Sequence, residues 1–345
     1  MKTRILMKTD LSDFLDELRR DFKVVGPRRK RGEHVFDDIR NPGDLDLEYV
    51  TTILPPKKMF LPPAENLMSF NRSGEAITAN VDTQKLLIFG IHSCDLNGLL
   101  LLDRVFNRDY PYPRYVERRR NSIIVAITCL NVGETCFCES MGTGPEPKMG
   151  YDILLTDLGD RFLAEAGTVE GNKLIGMMKG RDAEGSDLEL KKRLLLEAKA
   201  KFKKRIHIDG LAEIFEKSLD HPLWKRLGDK DLACAQCVMS CPTCFCLDIR
   251  DQWNKIPGET VRCVEWDACF LLEFAEVALG GNFRKDRSAR LRQFMGHNLS
   301  WGGTAQYGPV NGQHKCVGCG RCIRVCPVGI DITEVAKEVR GSQID

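Results

Sequence analysis

No stretch of this sequence is both long and apolar enough to cross a membrane. The densest apolar run, Ser122 to Leu130, falls far short of the roughly 18 residues a spanning helix needs. The opening MKTRILMKTD has no apolar segment of the kind a secretory signal carries, so export is not expected. Excess charge of one sign is also missing. Lys and Arg total 51, Asp and Glu 49, and the net charge is +2. That balance argues against dependence on a nucleic-acid backbone. There is no G-x-G-x-x-G after a strand, no Walker A loop, no H-E-x-x-H and no G-x-S-x-G. No flavin, nicotinamide or nucleotide site is therefore visible. Apolar residues at 43 % and charged residues at 29 % exclude disorder and collagen.

Cysteine is scarce in some places and crowded in others. Residues 1–93 and 139–233 contain none, although the chain has 15. Cys94, Cys129, Cys136 and Cys138 form one group, and eleven more lie between Cys234 and Cys326. Without an export signal, clustered cysteines point to metal binding or catalysis in the cytoplasm rather than to disulfides.

A length of 345 residues suggests roughly two domains. Leu11, Phe14, Leu15, Leu18 and Phe22 share one helical face, with Asp10 as its cap, and this helix should end before Gly26-Pro27. The basic run Arg28 to Arg31 reads as a solvated turn. Four prolines make Leu54–Pro63 extended. Leu86–Ile91, Ile123–Thr128, Ile153–Thr156 and Phe162–Ala166 read as strands, and Asp95 as the cap of a helix after the first. Ser186 and Glu189 form a capping box opening a helix with Leu190, Leu194, Ala198 and Phe202 on one face. The expected fold class is thus mixed α+β and α/β: an N-terminal mixed α/β domain (1–183), a connecting helical segment (184–230) and a helical domain (231–345).

The most specific motif is Cys316-Val-Gly-Cys319-Gly-Arg-Cys322-Ile-Arg-Val-Cys326-Pro327. It is the C-x2-C-x2-C-x3-C-P run of bacterial ferredoxins, which holds [4Fe–4S] clusters. Short gaps wrap three thiolates around one cubane, and Gly318 and Gly320 let the backbone approach its sulfides. The fourth cysteine starts a helix-like segment and serves the other cluster. A zinc knuckle usually takes its ligands as two separated pairs and fits poorly.

A partner run lies upstream, Asp231-Leu-Ala-Cys234-Ala-Gln-Cys237-Val-Met-Ser-Cys241-Pro242. On the same template Asp231 occupies the first ligand position. The crossing rule gives one cluster to Cys316, Cys319, Cys322 and Cys241, and the other to Cys234, Cys237, Cys326 and a fourth group. Asp231 through oxygen is the favoured fourth ligand. A thiolate from Cys244, Cys246, Cys263 or Cys269, or an open site, are the alternatives. Free cysteine packs as a small hydrophobe, so Cys244, Cys246 and Cys269 read first as core residues. Asp267 reads as the cap of a helix whose first turn holds Cys269, and that position keeps a ligand or redox role open for it.

Cys94 follows a strand at a helix start, and Cys129 follows the next strand. Such ends meet at one sheet edge, where ligands bind. Cys94, Cys129, Cys136 and Cys138 could converge there on a third cluster, with structural zinc or inert thiols as rivals. His92 beside Cys94 and His314 near Cys316 read as packing or surface residues.

Together these segments resemble the beta subunit of cytosolic sulfhydrogenase-type NiFe hydrogenases. That family includes one of the subunits of anaerobic sulfite reductase and others associated with heterodisulfide reductase. The resemblance rests on TTILPPKKMFLPP (51–63), GIHSCDLNGLLLLDRVF (90–106), CLNVGETCFCESMGTGP (129–145) and DILLTDLGDRF (152–162). It extends over CPTCFCLDIRD (241–251), EWDAC (265–269), GGNFRKDRSARLRQ (280–293) and CVGCGRCIRVCP (316–327). It implies a two-cluster ferredoxin-like domain and a third [4Fe–4S] cluster on Cys94, Cys129, Cys136 and Cys138. It also implies a neighbouring flavoprotein subunit that binds FAD and NAD(P)H. The family usually has cysteine where this chain has Asp231.

The expected function is relay of single electrons between that flavoprotein and a catalytic hydrogenase, sulfite reductase or heterodisulfide reductase subunit, in a cytoplasmic anaerobic complex. A self-contained reductase using the incompletely cysteine-ligated cluster or reactive thiols is one rival. A zinc-stabilised docking scaffold is another. Protons, polysulfide, sulfite and a heterodisulfide all remain as terminal acceptors.

Overall fold

The computed structural model describes residues 2–71, 73, 75–78, 84–253, 260–300 and 314–341. The chain begins β1 (Thr3–Met7), α1 (Leu11–Asp21), β2 (Lys23–Lys30), β3 (Glu33–Asp38), β4 (Ala64–Phe70) and β5 (Ala76–Thr78). It continues β6 (Leu86–Ile91), α2 (Ser93–Phe106), α3 (Pro113–Arg120), β7 (Ser122–Ile127), β8 (Ile153–Asp157) and β9 (Arg161–Ala166). Then come α4 (Val169–Met177), β10 (Arg181–Asp182), α5 (Gly185–Ala200), α6 (Leu211–Lys217), α7 (Leu223–Lys230) and α8 (Gln236–Met239). The last elements used below are β11 (Leu247–Trp253), β12 (Thr260–Trp266), α9 (Arg287–Leu299), α10 (Arg321–Arg324) and α11 (Ile332–Gly341).

An eight-stranded sheet runs β10-β1-β9-β8-β7-β6-β2-β3. Its centre, β2, β6, β7 and β8, is parallel, and its outer pairs are antiparallel. The continuous apolar runs of β6 and β7 follow from helices on both faces. Leu87, Phe89 and Val125 pack with Phe14, Leu15 and Leu18 of α1 and Leu174 and Ile175 of α4. Ile88, Ile124 and Ala126 pack oppositely, with Leu96, Leu99 and Leu102 of α2 and Tyr115 of α3. Because β6 and β7 are parallel neighbours, the segments leaving them, with Cys94 and Cys129, share one edge. A second core gathers α6, α7, α9, α11 and the cysteine loops, with Trp224, Phe270, Phe294 and Val335 at its centre.

Several local expectations shift. Helix α1 ends at Asp21, before Gly26-Pro27 as expected, but those two residues lie inside β2. Asp10 takes the cap position but makes no side-chain capping bond. Of the basic run, Arg28 to Lys30 belong to β2 and Arg31 to the turn, with Arg29, Lys30 and Arg31 exposed. The proline-rich stretch includes one 3-10 turn, Pro56–Met59. Helix α2 begins at Ser93, so Asp95 sits inside its first turn instead of capping it. The box at α5 pairs Glu184 with Asp187, not Ser186 with Glu189, because Asp187 is drawn inward by Arg161 and Arg181. Leu190 and Leu194 of α5 pack on Ile5, Leu158 and Leu163, so this helix lies against the large sheet. Asp267 does not open an α-helix; it accepts from the Ala268 amide, and the next helical turns are 3-10 turns at Glu273–Ala275 and Ala278–Gly280. A four-stranded sheet, β11-β12-β4-β5, pairs strands from both sides of the expected 183/231 division. Among the described residues no helix is long and apolar enough to cross a membrane.

Candidate metal centres

The two cysteine runs fold alike. In each, a tight loop turns into one helical turn, α8 or α10. The loop needs two left-handed residues. Gly318 and Gly320 supply them downstream, with φ of 65° and 72°; Ala233 and Ala235 supply them upstream, with φ of 52° and 61°. Alanine bears a steric cost there that glycine does not. Cys326 follows α10 rather than starting a helix, and its sulfur accepts the Ile330 amide at 3.2 Å.

Asp231, Cys234, Cys237 and Cys326 line one cavity, walled by Phe270, Phe294 and Ile330. Cys322 also borders it. Asp231 Oδ1 accepts the Ala233 amide at 3.0 Å. Its Oδ2 is buried and has no hydrogen-bond partner. Burial pushes this carboxyl above its usual pKa. A desolvated oxygen without a donor costs roughly 1–3 kcal/mol unless something else binds it. An iron at that corner would supply the missing partner. None of Cys244, Cys246, Cys263 and Cys269 lines this cavity. Cys263, in β12, donates to the Arg250 carbonyl at 3.5 Å.

Cys316, Cys319, Cys322 and Cys241 lie near enough to feel one another's charge. Burial first, then their mutual repulsion as thiolates, raises the pKa values of Cys316 and Cys322. Such shifts disappear when iron takes the protons' place, since ligating thiols are deprotonated outright. The Gly318 amide donates to Cys316 Sγ at 3.4 Å.

Cys94, Cys129, Cys136 and Cys138 line a second cavity with His92, Phe202 and Cys319. The structure thus brings together four thiols from a helix start, a strand exit and one loop. The glycines of the downstream run also have close protein neighbours. Their neighbours are the other cysteine loop: a Cβ on Gly318 would stand 2.6 Å from the Cys138 nitrogen, and one on Gly320 2.2 Å from the Thr135 carbonyl oxygen. The Phe137 amide donates to the Gly318 carbonyl at 2.9 Å. Arg321, between Cys319 and Cys322, is fully buried and grips Asp95 through both oxygens at 2.6 and 2.7 Å. It also donates to the Thr52 carbonyl at 2.8 Å. This cation reaches both groups of thiols.

His92 is a packing histidine, as expected, but not a surface one. Its ring stacks on Tyr49 at 4.0 Å, and burial lowers its pKa to about 4. His314 is half-buried, with Nδ1 lacking a partner. The sequence reading missed Arg321, Asp95, Thr52 and Tyr49, and also the buried Lys57 and Lys315. Two lysines in an apolar, proline-rich stretch were the available signal for Lys57.

Among the described residues no three His, Cys, Asp or Glu side chains converge on the position of a single metal ion. The sulfurs line cavities, as the corners of a cubane require, and all-thiolate or thiolate-plus-carboxylate sets suit iron–sulfur clusters. The donor sets therefore fit.

The family model for a 4Fe-4S dicluster domain matches residues 230–330. Sulfhydrogenase 2 subunit beta of Pyrococcus furiosus is 34 % identical over 331 residues, covering 95 % of this chain and 95 % of the relative. No solved structure matches the chain.

Proposed function

Since this chain belongs to the sulfhydrogenase beta-subunit family, an iron–sulfur electron-transfer family, we propose that it relays electrons through three sites in series. One observation supports the order: Cys319 borders the N-terminal cavity and Cys322, three residues on, borders the Asp231 cavity. The middle site, held by Cys316, Cys319, Cys322 and Cys241, lies between the other two. Cys94, Cys129, Cys136 and Cys138 would hold the N-terminal cluster, and Asp231, Cys234, Cys237 and Cys326 the third. When bound, [4Fe–4S] clusters supply one-electron redox chemistry.

The chain's own residues set the conditions for that chemistry. Phe202, Phe270 and Phe294 keep water from the cavity walls. Arg321, Lys57 and Lys315 place positive charge beside the thiolates, which favours the reduced, more negative state. Cys234 is exposed, so the Asp231 site has an outlet to the surface. The partners proposed are a flavoprotein subunit that binds FAD and NAD(P)H, and a catalytic hydrogenase, sulfite reductase or heterodisulfide reductase subunit, together in the cytoplasm. Unpaired thiols in every group agree with a reducing compartment.

Iron and zinc analysis after anaerobic reconstitution tests the reading. Three [4Fe–4S] sites give about 12 irons per chain and two give about 8. About 8 removes the N-terminal cluster from the series. Zinc in place of iron overturns the relay.

A further inference from the structure

Four buried or half-buried thiols remain outside these sites; Cys263 lies in β12 against the Arg250 carbonyl, and Cys244, Cys246 and Cys269 are the other three. Cys244 and Cys269 sit in the second core, as a packing role requires. Their surroundings do not suit packing alone. Lys57 and Lys315 are both buried beside them. Lys57 Nζ donates to the carbonyls of Cys241, at 2.8 Å, and Cys244. Lys315 Nζ approaches Cys244 Sγ at 3.7 Å and His297 Nδ1 at 3.4 Å. Neither lysine has a carboxylate partner among the described residues. Two buried ammonium groups therefore face sulfur, aromatic rings and carbonyls. Trp266 lies 4.4 Å from Lys57, and Phe245 5.1 Å from Lys315.

Within this cationic pocket Cys246 and Cys269 are neighbours whose side chains interact. The fold holds them there. Cys246 immediately precedes β11, whose Leu247 pairs with Trp266 at the end of β12. The Asp267 amide then donates to the Cys246 carbonyl at 2.9 Å. The hairpin thus clamps Cys246 against the turn that carries Cys269. The interaction with Cys269, ahead of the opposing burial and with help from Lys315 and Lys57, lowers the Cys246 pKa to about 7. A thiolate beside a thiol is the arrangement from which a disulfide closes.

We propose that Cys246 and Cys269 are a redox-active dithiol that closes to a disulfide and reopens in exchange with the iron–sulfur sites. The proposal rests on the relay reading for its electron acceptors. In closing, the S–H bond of Cys269 breaks, its sulfur bonds to the Cys246 thiolate sulfur, and one proton and two electrons leave. Two electrons pass singly to two oxidised [4Fe–4S] clusters of the dicluster domain, each reduced by one. Reopening reverses each change. The cluster ligands lie nearby: Cys244 interacts with Cys241, and the charge of Cys237 is felt at Cys269. The pair would let a chain of one-electron sites hold two electrons in one bond.

The test uses the reconstituted full-length holoprotein under anaerobic conditions. One portion is reduced with dithionite, and another is oxidised with a mild one-electron mediator. Both are quenched in acid, alkylated with N-ethylmaleimide, digested and read by mass spectrometry. The expected result is a linked Cys246–Cys269 peptide pair in the oxidised portion, and two alkylated peptides in the reduced one. Cys269→Ser should abolish the link, leave Cys246 alkylated in both portions, and keep the iron content and the reduced-cluster electron paramagnetic resonance spectrum. Both cysteines alkylated in the oxidised wild type, with iron at its full value, overturns the dithiol alone. Loss of about four irons in Cys269→Ser also overturns it, making Cys269 a cluster ligand. A wild type without iron overturns the relay reading and leaves the pair without its acceptors.

Discussion

At Asp231 the proposed cluster has a carboxylate where its other ligands are thiolates. A carboxylate is a harder donor than a thiolate, and its bond to iron is the more labile. Asp231 Oδ2 is buried and lacks a partner, whereas Oδ1 is satisfied by the Ala233 amide. We expect brief ferricyanide treatment to convert the wild type partly to a three-iron form, seen by electron paramagnetic resonance. Asp231→Cys should resist that conversion, and Asp231→Ala should convert more readily. An unchanged Asp231→Ala spectrum would reject the assignment without touching the fold. Arg321 and Asp95 show the same dependence on neighbours. Each is a buried charge tolerable because the other is there, and removing one partner of such a pair costs about 3–5 kcal/mol.

Elements bring the cysteine loops together. The downstream loop docks on the loop of residues 135–138, where Gly320 leaves no room for a side chain. Gly320→Ala must bear a left-handed φ and a clash with the Thr135 carbonyl, together at least about 2 kcal/mol. We expect a lower thermal midpoint and weaker iron retention at the N-terminal site, measured by calorimetry and iron analysis. Wild-type values for both would show that the loops do not need this contact. Helix α5 is fastened by Asp187, buried and bound by Arg181 and Arg161. The hydrogen bond from Arg181, ahead of opposing burial, lowers its pKa to about 2. An unfolded aspartate titrates near ~3.9. The folded value is the lower, so the stabilisation is fully present above about 4 and is lost as pH falls through about 2. Acid unfolding should therefore be less steep in Asp187→Asn than in the wild type. Equal slopes between pH ~4 and ~2 would deny Asp187 this role.

On the scale of the whole molecule, the proposed series would span both cysteine-lined cavities, with Cys319 bordering one and Cys322 the other. The series explains why a relay would need its large α/β part as well as the dicluster region. It also has no nucleotide-binding motif to load electrons by itself. We expect the isolated holoprotein to show no NAD(P)H oxidation. Adding a flavoprotein subunit should restore electron flow into its clusters, followed by bleaching of their visible absorption. NADPH turnover by the pure chain without added flavin would contradict a relay.

The sequence by itself determined the dicluster motif, because its ligands are close along the chain and their spacing is the geometry of the site. It also determined the central strands, whose unbroken apolar character requires burial on both faces. The upstream run was legible by template, down to the odd aspartate. Convergence of Cys94 with Cys129, Cys136 and Cys138 was only suggested, since those ligands meet through the sheet edge and not through a motif. Tertiary structure alone decided that Gly318 and Gly320 serve loop docking, that Asp95 receives Arg321 in place of a helix end, and that Cys246 meets Cys269 beside two buried lysines. Each of these joins residues far apart in sequence, and such pairs leave no local period or spacing to read. Their partners are fixed by which surfaces pack, and packing is a property of the folded whole.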